Sequence, residues 1–184
     1  AVPKGEGGML AVLGTTIQIL EHILEDNQNN FKIQIANDNS PGQIVLSGKN
    51  SEILELVEIL KSKNIKFIKL PVSAPFHCQL MKKATEVIRK EIKNFNFSDS
   101  KNILISNVTA DEIKNKDDLK KLLVDQIENR VRWRESVINM IKKGVNQFIE
   151  IGPGKVLSGL VKRIDKNVNI NTINSESDIK SLDI

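Results

Sequence analysis

Phe31-Lys32-Ile33-Gln34-Ile35-Ala36-Asn37-Asp38-Asn39-Ser40-Pro41-Gly42-Gln43-Ile44-Val45-Leu46-Ser47 reads as two strands around a turn. Residues 31–35 alternate apolar and polar side chains, the period of a half-buried strand. Asn37 to Gly42 concentrates residue types that favour turns, through side-chain hydrogen bonds, a preset φ or freedom to take a positive φ. Gln43 to Ser47 supplies a second strand. An antiparallel hairpin with a long connection is expected.

Helical patterns flank this hairpin on both sides. Met9 to Leu13 reads as a short buried strand closed by Gly14. Thr15-Thr16-Ile17-Gln18 then has capping-box spacing, and Ile17, Leu20, Ile23 and Leu24 make one face of a helix over 15–26. His22 falls off that stripe and reads as solvated surface. After the hairpin, Asn50 or Ser51 is placed to cap a helix with Ile53, Leu56, Val57 and Leu60 inward. Asn64 stops it, and Lys66 to Leu70 is a fourth strand. The order β-α-β-β-α-β is the split βαβ pattern of a ferredoxin-like module, assigned to residues 9–70.

Leu70-Pro71-Val72-Ser73-Ala74-Pro75-Phe76-His77-Cys78-Gln79-Leu80-Met81 follows. Each proline biases the residue before it to extended backbone, so no helix begins before Phe76 is passed. His77 then stands at a strand-to-helix corner between stiff residues, the mounting a general base needs. An ordinary loop histidine fits the composition as well. Leu80, Ala84, Val87, Ile88 and Ile92 repeat at helical spacing. Beyond them the pattern gives a strand at 103–108, helices at 119–127 and 131–141 stopped by Gly144, and a strand at 145–151. A Gly152-Pro153-Gly154 turn, a helix at 155–164 and a strand at 168–173 complete it. Strands alternating with helices argue for α/β layering over 71–184.

With 184 residues, 40% hydrophobic and 27% charged, the chain can build a real core and does not read as disordered. The net charge of +4 is a mild basic excess, much of it lysine scattered along helix faces. With no Tyr, one Trp and six Phe there is little for bases to stack on, so a nucleic-acid partner is not expected and an acidic protein partner fits the charge. One Cys excludes an internal disulfide and a cysteine-based zinc site, and points to a reducing cytoplasm. No apolar run approaches membrane-spanning length, and no signal-peptide pattern opens the chain. Ala1-Val2-Pro3-Lys4-Gly5 has no initiator Met and reads as the interior of a longer sequence.

Several motifs bear on chemistry. Cys78 beside His77 suggests a Cys–His pair, although side chains of adjacent residues point apart. Gly152-Pro153-Gly154-Lys155 has a phosphate-loop flavour. It lacks Walker A spacing and puts Leu157 where G-x-G-x-x-G needs glycine, so a packing turn is the plainer reading, with an anion at the next helix N-terminus left open. Asn107-Val108-Thr109 matches a glycosylation sequon by chance. No metal-ligand spacing or catalytic carboxylate pair stands out. Ser40, Ser47, Ser73, Ser106 and Ser158 all lack the flanking glycines of a G-x-S-x-G nucleophile elbow. The chain offers a base without a matching nucleophile.

Four blocks together resemble the malonyl-CoA:acyl-carrier-protein transacylases of fatty-acid synthesis: 35–48, 70–81, Gln126 to Trp133, and Glu150 to Leu157. They stand in the family's order. The resemblance implies a ferredoxin-like small subdomain, matched to 9–70, set into an α/β hydrolase-like large subdomain, of which 71–184 is the incomplete C-terminal part. It places the catalytic histidine at His77 and, at Gln126, the residue whose backbone carbonyl orients it. It puts Asn37 and Asn39 in a block bordering the substrate cleft. It also implies that the serine elbow, the arginine for the malonyl carboxylate and the oxyanion-hole segment precede the matching part, so that this chain alone is inactive. The implied activity is acyltransferase chemistry with no cofactor: malonyl moves from malonyl-CoA to the phosphopantetheine thiol of acyl carrier protein. Arg130, Arg132, Lys155 and Lys162 are candidate docking charges for that acidic partner. A monomer is implied when the protein is complete, without nucleic acid or membrane. Two other readings stay open: a non-catalytic ferredoxin-like binding or regulatory fragment, and an acyltransferase domain of a polyketide synthase. For the latter, Phe76 before the histidine resembles the malonyl-selective pattern.

Overall fold

The computed structural model describes residues 2–3, 5–72 and 74–182; the readings made of Ala1, Lys4 and Ser73 fall outside them. The chain opens with β1 (Gly7–Leu13), α1 (Ile17–Asp26), β2 (Gln34–Ser40), β3 (Gln43–Lys49), α2 (Asn50–Ser62) and β4 (Lys66–Lys69). These strands form one antiparallel sheet in the order β2-β3-β1-β4. Strand alternation sends Leu10, Val12, Ile44 and Leu46 to one face. There they meet Ile17, Leu20 and Ile23 of α1 and Ile53, Leu56 and Leu60 of α2 in one buried cluster. Each such side chain contributes about 1.5–3 kcal/mol on full burial, which makes this cluster the main support of the first half of the chain. The reverse face buries Met9, Ala11, Ala36 and Val45.

The hairpin departs from its expected shape. Phe31 and Ile33 are buried but precede the strand, which runs instead from Gln34 through the Asn-Asp-Asn-Ser stretch to Ser40. Pro41 and Gly42 alone make the turn, Gly42 at φ 71°. Register shifts between Ile35 and Asn37 and between Asp38 and Ser40 mark bulges, which explain how a polar run stays in a strand while bending it. Capping differs too. Thr16, not Thr15, caps α1 by accepting from the Ile19 amide. Lys49 precedes α2 without a side-chain cap, because Asn50 instead donates to the carbonyls of Gly5 and Gly7.

A 3₁₀ turn at Gln79–Met81 leads into α3 (Lys82–Glu91), followed by α4 (Lys116–Asp125), α5 (Trp133–Lys142), β5 (Gln147–Ile151), α6 (Val156–Ile164), β6 (Asn169–Ile173) and α7 (Glu176–Lys180). β5 and β6 pair in parallel across α6, a βαβ unit around Val137, Val161 and Val168. Residues 103–108 form no strand. The Ser106 hydroxyl accepts the amides of Val108 and Thr109, which turns the chain there. Val131 is not helical: it extends beside Asn37 in a parallel bridge. No helix among the described residues is long and apolar enough to cross a membrane.

Candidate active site

The corner after β4 is fixed from three sides. Pro75 is fully buried against β1, where a Cβ on Gly7 would overlap its ring. Cys78 is 1% exposed and its thiol donates to the Pro75 carbonyl at 3.1 Å, which withdraws it from solvent and from nucleophilic work. The Gln79 amide donates to Gln34 Oε1 of β2 at 2.7 Å. Between these anchors His77 takes φ 59°, in the left-handed region that is uncommon for residues other than glycine.

That backbone delivers the half-buried imidazole to the end of α4, where Nδ1 lies 2.7 Å from the Gln126 carbonyl oxygen. Asn115 caps the front of α4 by accepting the amides of Asp117 and Asp118. Gln126 is its C-cap, so its carbonyl has no partner in the helix ladder and is free for the imidazole. A carbonyl only accepts, so Nδ1 carries the proton and Nε2 presents a lone pair. The helix C-terminus adds partial negative charge behind that carbonyl. The Gln126 side chain is held as well, its Oε1 accepting from Asn107 at 3.2 Å, while the Asn107 carbonyl accepts the Arg132 amide at 2.8 Å. Asn107 was legible in the sequence only as a chance sequon, and nothing local marked it as a support for Gln126.

Asn37 and Asn39 lie half-buried on the bulged stretch of β2. Among the described residues neither side chain hydrogen-bonds to His77. Between them Asp38, 1% exposed, takes Arg134 of α5 in a forked pair: Nε to Oδ1 at 3.0 Å and Nη2 to Oδ2 at 2.8 Å. The hydrogen bonds that Arg134 donates to the Asp38 carboxylate raise the Arg134 pKa above its ordinary value. Sequence reading missed this pair because its members stand 96 residues apart.

His77 lines an open cleft of about 370 Å³ with Glu21, Leu24, Gln34, Glu128 and Arg130. Three of the four expected docking charges are engaged within the chain. Arg130 pairs with Glu21 at 3.2 Å and Glu135 at 3.8 Å, and Arg132 pairs with Glu135. Lys162 donates to the Lys166 carbonyl. The glycine turn at 152–154 does not open onto an external anion. Glu150 fills the front of α6, accepting the amides of Leu157 at 3.0 Å and Ser158 at 2.7 Å. The Ser158 hydroxyl, with backbone amides of the same turn, holds the Glu150 carboxyl below its usual range. No group of three or more metal-ligating side chains occurs among the described residues.

The chain is 42% identical over 170 residues to a malonyl CoA-acyl carrier protein transacylase of Bacillus subtilis, covering 91% of this chain and 54% of that protein. It superposes on the malonyl CoA-acyl carrier protein transacylase of Clostridium perfringens with TM-score 0.93 and 38% identity, over 98% of this chain and 57% of the other. It also matches a malonyl-transacylase solved in complex with a type II polyketide-synthase acyl-carrier protein, at TM-score 0.92 and 30% identity, over 98% and 59% of the two chains. The chain thus spans little more than half the length of these relatives. The acyl transferase domain family matches residues 2–181, through both sheets and every helix described above, and the chain belongs to that family.

Proposed function

We propose that this chain is part of a malonyl-CoA:acyl-carrier-protein S-malonyltransferase and supplies its general base, His77. The contact of His77 Nδ1 with the Gln126 carbonyl at 2.7 Å carries the reading. It commits the imidazole to the tautomer with a free Nε2, as the carboxylate does in a serine triad. In the proposed cycle a serine hydroxyl attacks the malonyl thioester and Nε2 takes its proton. The tetrahedral adduct collapses, and the CoA sulfur leaves with that proton. The carrier protein's phosphopantetheine thiol then attacks the malonyl ester, giving its proton to Nε2. The serine oxygen recovers that proton as it departs. Malonyl-CoA and phosphopantetheine are substrates, and the cycle needs no bound cofactor.

None of the serines in the 184 residues stands in G-x-S-x-G, so the proposed nucleophile comes from outside this sequence and the chain alone is not expected to form an acyl-enzyme. In this reading residues 9–70 are a ferredoxin-like subdomain, supported by the strand order β2-β3-β1-β4, and 71–184 belong to a larger α/β subdomain. Asn37 and Asn39 border the substrate cleft, with Phe76 exposed beside His77. The free, buried Cys78 suits a reducing cytoplasm. A polyketide setting is the second reading, favoured by the likeness to the transacylase solved with a polyketide carrier protein. Intact-protein mass spectrometry after incubation with malonyl-CoA tests the proposal. A malonyl adduct should form only when a serine-bearing segment is joined to this chain, with turnover to carrier protein lowered by His77→Ala. An adduct on the 184-residue chain itself would refute it.

A further inference from the structure

The contact between His77 and Gln126 depends on a segment with no regular structure. Residues 126–132 leave α4 as a turn and enter α5 only at Trp133. Their backbone is held at Val131, whose amide donates to the Ala36 carbonyl at 2.8 Å and whose carbonyl accepts the Asp38 amide at 2.9 Å. Asp38 therefore binds the segment twice, by its backbone at Val131 and by its carboxylate at Arg134 in the first turn of α5. The other end of the same strand, at Gln34, holds the Gln79 amide two residues past His77. β2 thus grips both partners of the His77–Gln126 contact.

A buried ion pair is a poor source of stability, since apolar side chains of similar volume do as well or better. A forked carboxylate–guanidinium pair supplies a fixed orientation instead. The bulges on either side of Asp38 re-aim its side chain off the regular alternation of the strand. The positive end of α5 lies toward the carboxylate it receives.

We propose that Asp38 and Arg134 form a positioning pair: by locking the start of α5 to β2 they hold the Gln126 carbonyl at hydrogen-bond distance from His77 Nδ1. The catalytic consequence rests on the acyl-transfer reading given above. The geometric consequence does not, and it is measurable without any activity.

Imidazole nitrogen NMR on the ¹⁵N-labelled chain provides the test. The chain has two histidines, and exposed His22, 3.5 Å from Asp26 on α1, is the internal reference. In the parent, His77 should show one tautomer with its proton on Nδ1 in slow exchange. Asp38→Leu/Arg134→Met replaces the pair with apolar side chains. Arg134→Lys keeps the charge and loses the fork, and it carries the test if the double variant does not fold. In either variant the Nδ1 proton should exchange about tenfold faster or more. The two ring nitrogens should move toward averaged values, and His22 should stay unchanged. His77 signals that remain parental in a variant whose Leu10, Leu46 and Leu56 methyl resonances report an intact core would overturn the proposal. Failure of the acyl-transfer reading would leave these signals as expected, so the two outcomes are distinguishable.

Discussion

His77 places Nδ1 2.7 Å from the Gln126 carbonyl while its own backbone sits at φ 59°. The side chain and the backbone make separate demands, and substitutions separate them. In an enzyme carrying the serine, His77→Ala should lower turnover about a hundred- to ten-thousand-fold, the range of a general base. Asn tolerates the left-handed region, so His77→Asn should lose only the hydrogen bond to Gln126, about 0.5–1.5 kcal/mol. A β-branched replacement does not, and His77→Val should cost about 1–2 kcal/mol beyond His77→Asn in denaturant unfolding. Equal stabilities for the two would show that the corner relaxes its backbone.

Gly7 is the floor under that corner. Its missing Cβ is the space filled by the Pro75 ring, two residues before His77. Gly7→Ala should destabilise by about 1–3 kcal/mol through overpacking and should also shift the His77 resonances. Gly5, with nothing near its Cβ position, serves as a control in space but not in backbone, since its φ is 92°. Parental His77 resonances in Gly7→Ala would mean that Pro75 does not transmit the change.

The Asp38–Arg134 pair should respond asymmetrically to truncation. Asp38 is 1% exposed, whereas the Arg134 side chain is 27% exposed and can turn toward water. Arg134→Ala strands a buried carboxylate and should cost about 3–5 kcal/mol. Asp38→Ala frees a guanidinium that solvent can reach and should cost about 1–3 kcal/mol. Chemical denaturation of both variants measures the difference, and equal losses would contradict the burial argument.

How far the sequence carries depends on where each residue's partner lies. β1, β3 and the stripes of α1 and α2 are legible because their periodicity faces one shared core, and Leu10, Ile44 and Leu56 announce themselves locally. The stretch from Asn37 to Ser40 misleads because local chemistry favours a turn. Val131 and Arg134, remote in sequence, turn it into strand by satisfying its backbone and its charge. The mounting of His77 is visible in its flanking prolines, but its positive φ is not. Neither are Gln34, whose side chain holds the corner at the Gln79 amide, and Asn107, whose side chain holds Gln126. Side-chain amides of this kind carry no periodic signal, so supports built from them emerge only in three dimensions.

Glu150 gives a pH test of α6. Its folded pKa lies below the ordinary 4.5 because the Ser158 hydroxyl and neighbouring amides prefer the carboxylate. A depressed carboxyl stabilises the fold above its unfolded pKa, and that contribution is lost as pH falls through the folded value. Glu150→Gln should therefore melt below the parent at neutral pH, and the gap should close as pH drops below 4.5. A gap that persists in acid would assign the effect to the amide's geometry rather than to the charge.

The β5–β6 unit leaves apolar surface in the open. Ile151 is 77% exposed, Val156 73% and Leu157 42%, around the turn that joins β5 to α6. Val87 and Ile88 of α3 are 58% and 41% exposed. Parallel strands are ordinarily covered on both faces, and a two-strand parallel sheet has two bare edges, which invites further pairing. The 184-residue chain should therefore self-associate with rising concentration and bind a hydrophobic dye. Ile151→Lys combined with Val156→Lys should weaken that association without lowering the melting temperature, since neither side chain contributes to the buried cluster of Val137, Val161 and Val168. Sedimentation velocity over a concentration series separates the outcomes. A parent chain that remains monomeric throughout would show that this surface is wetted without penalty, and a double variant that still associates would move the contact to α3.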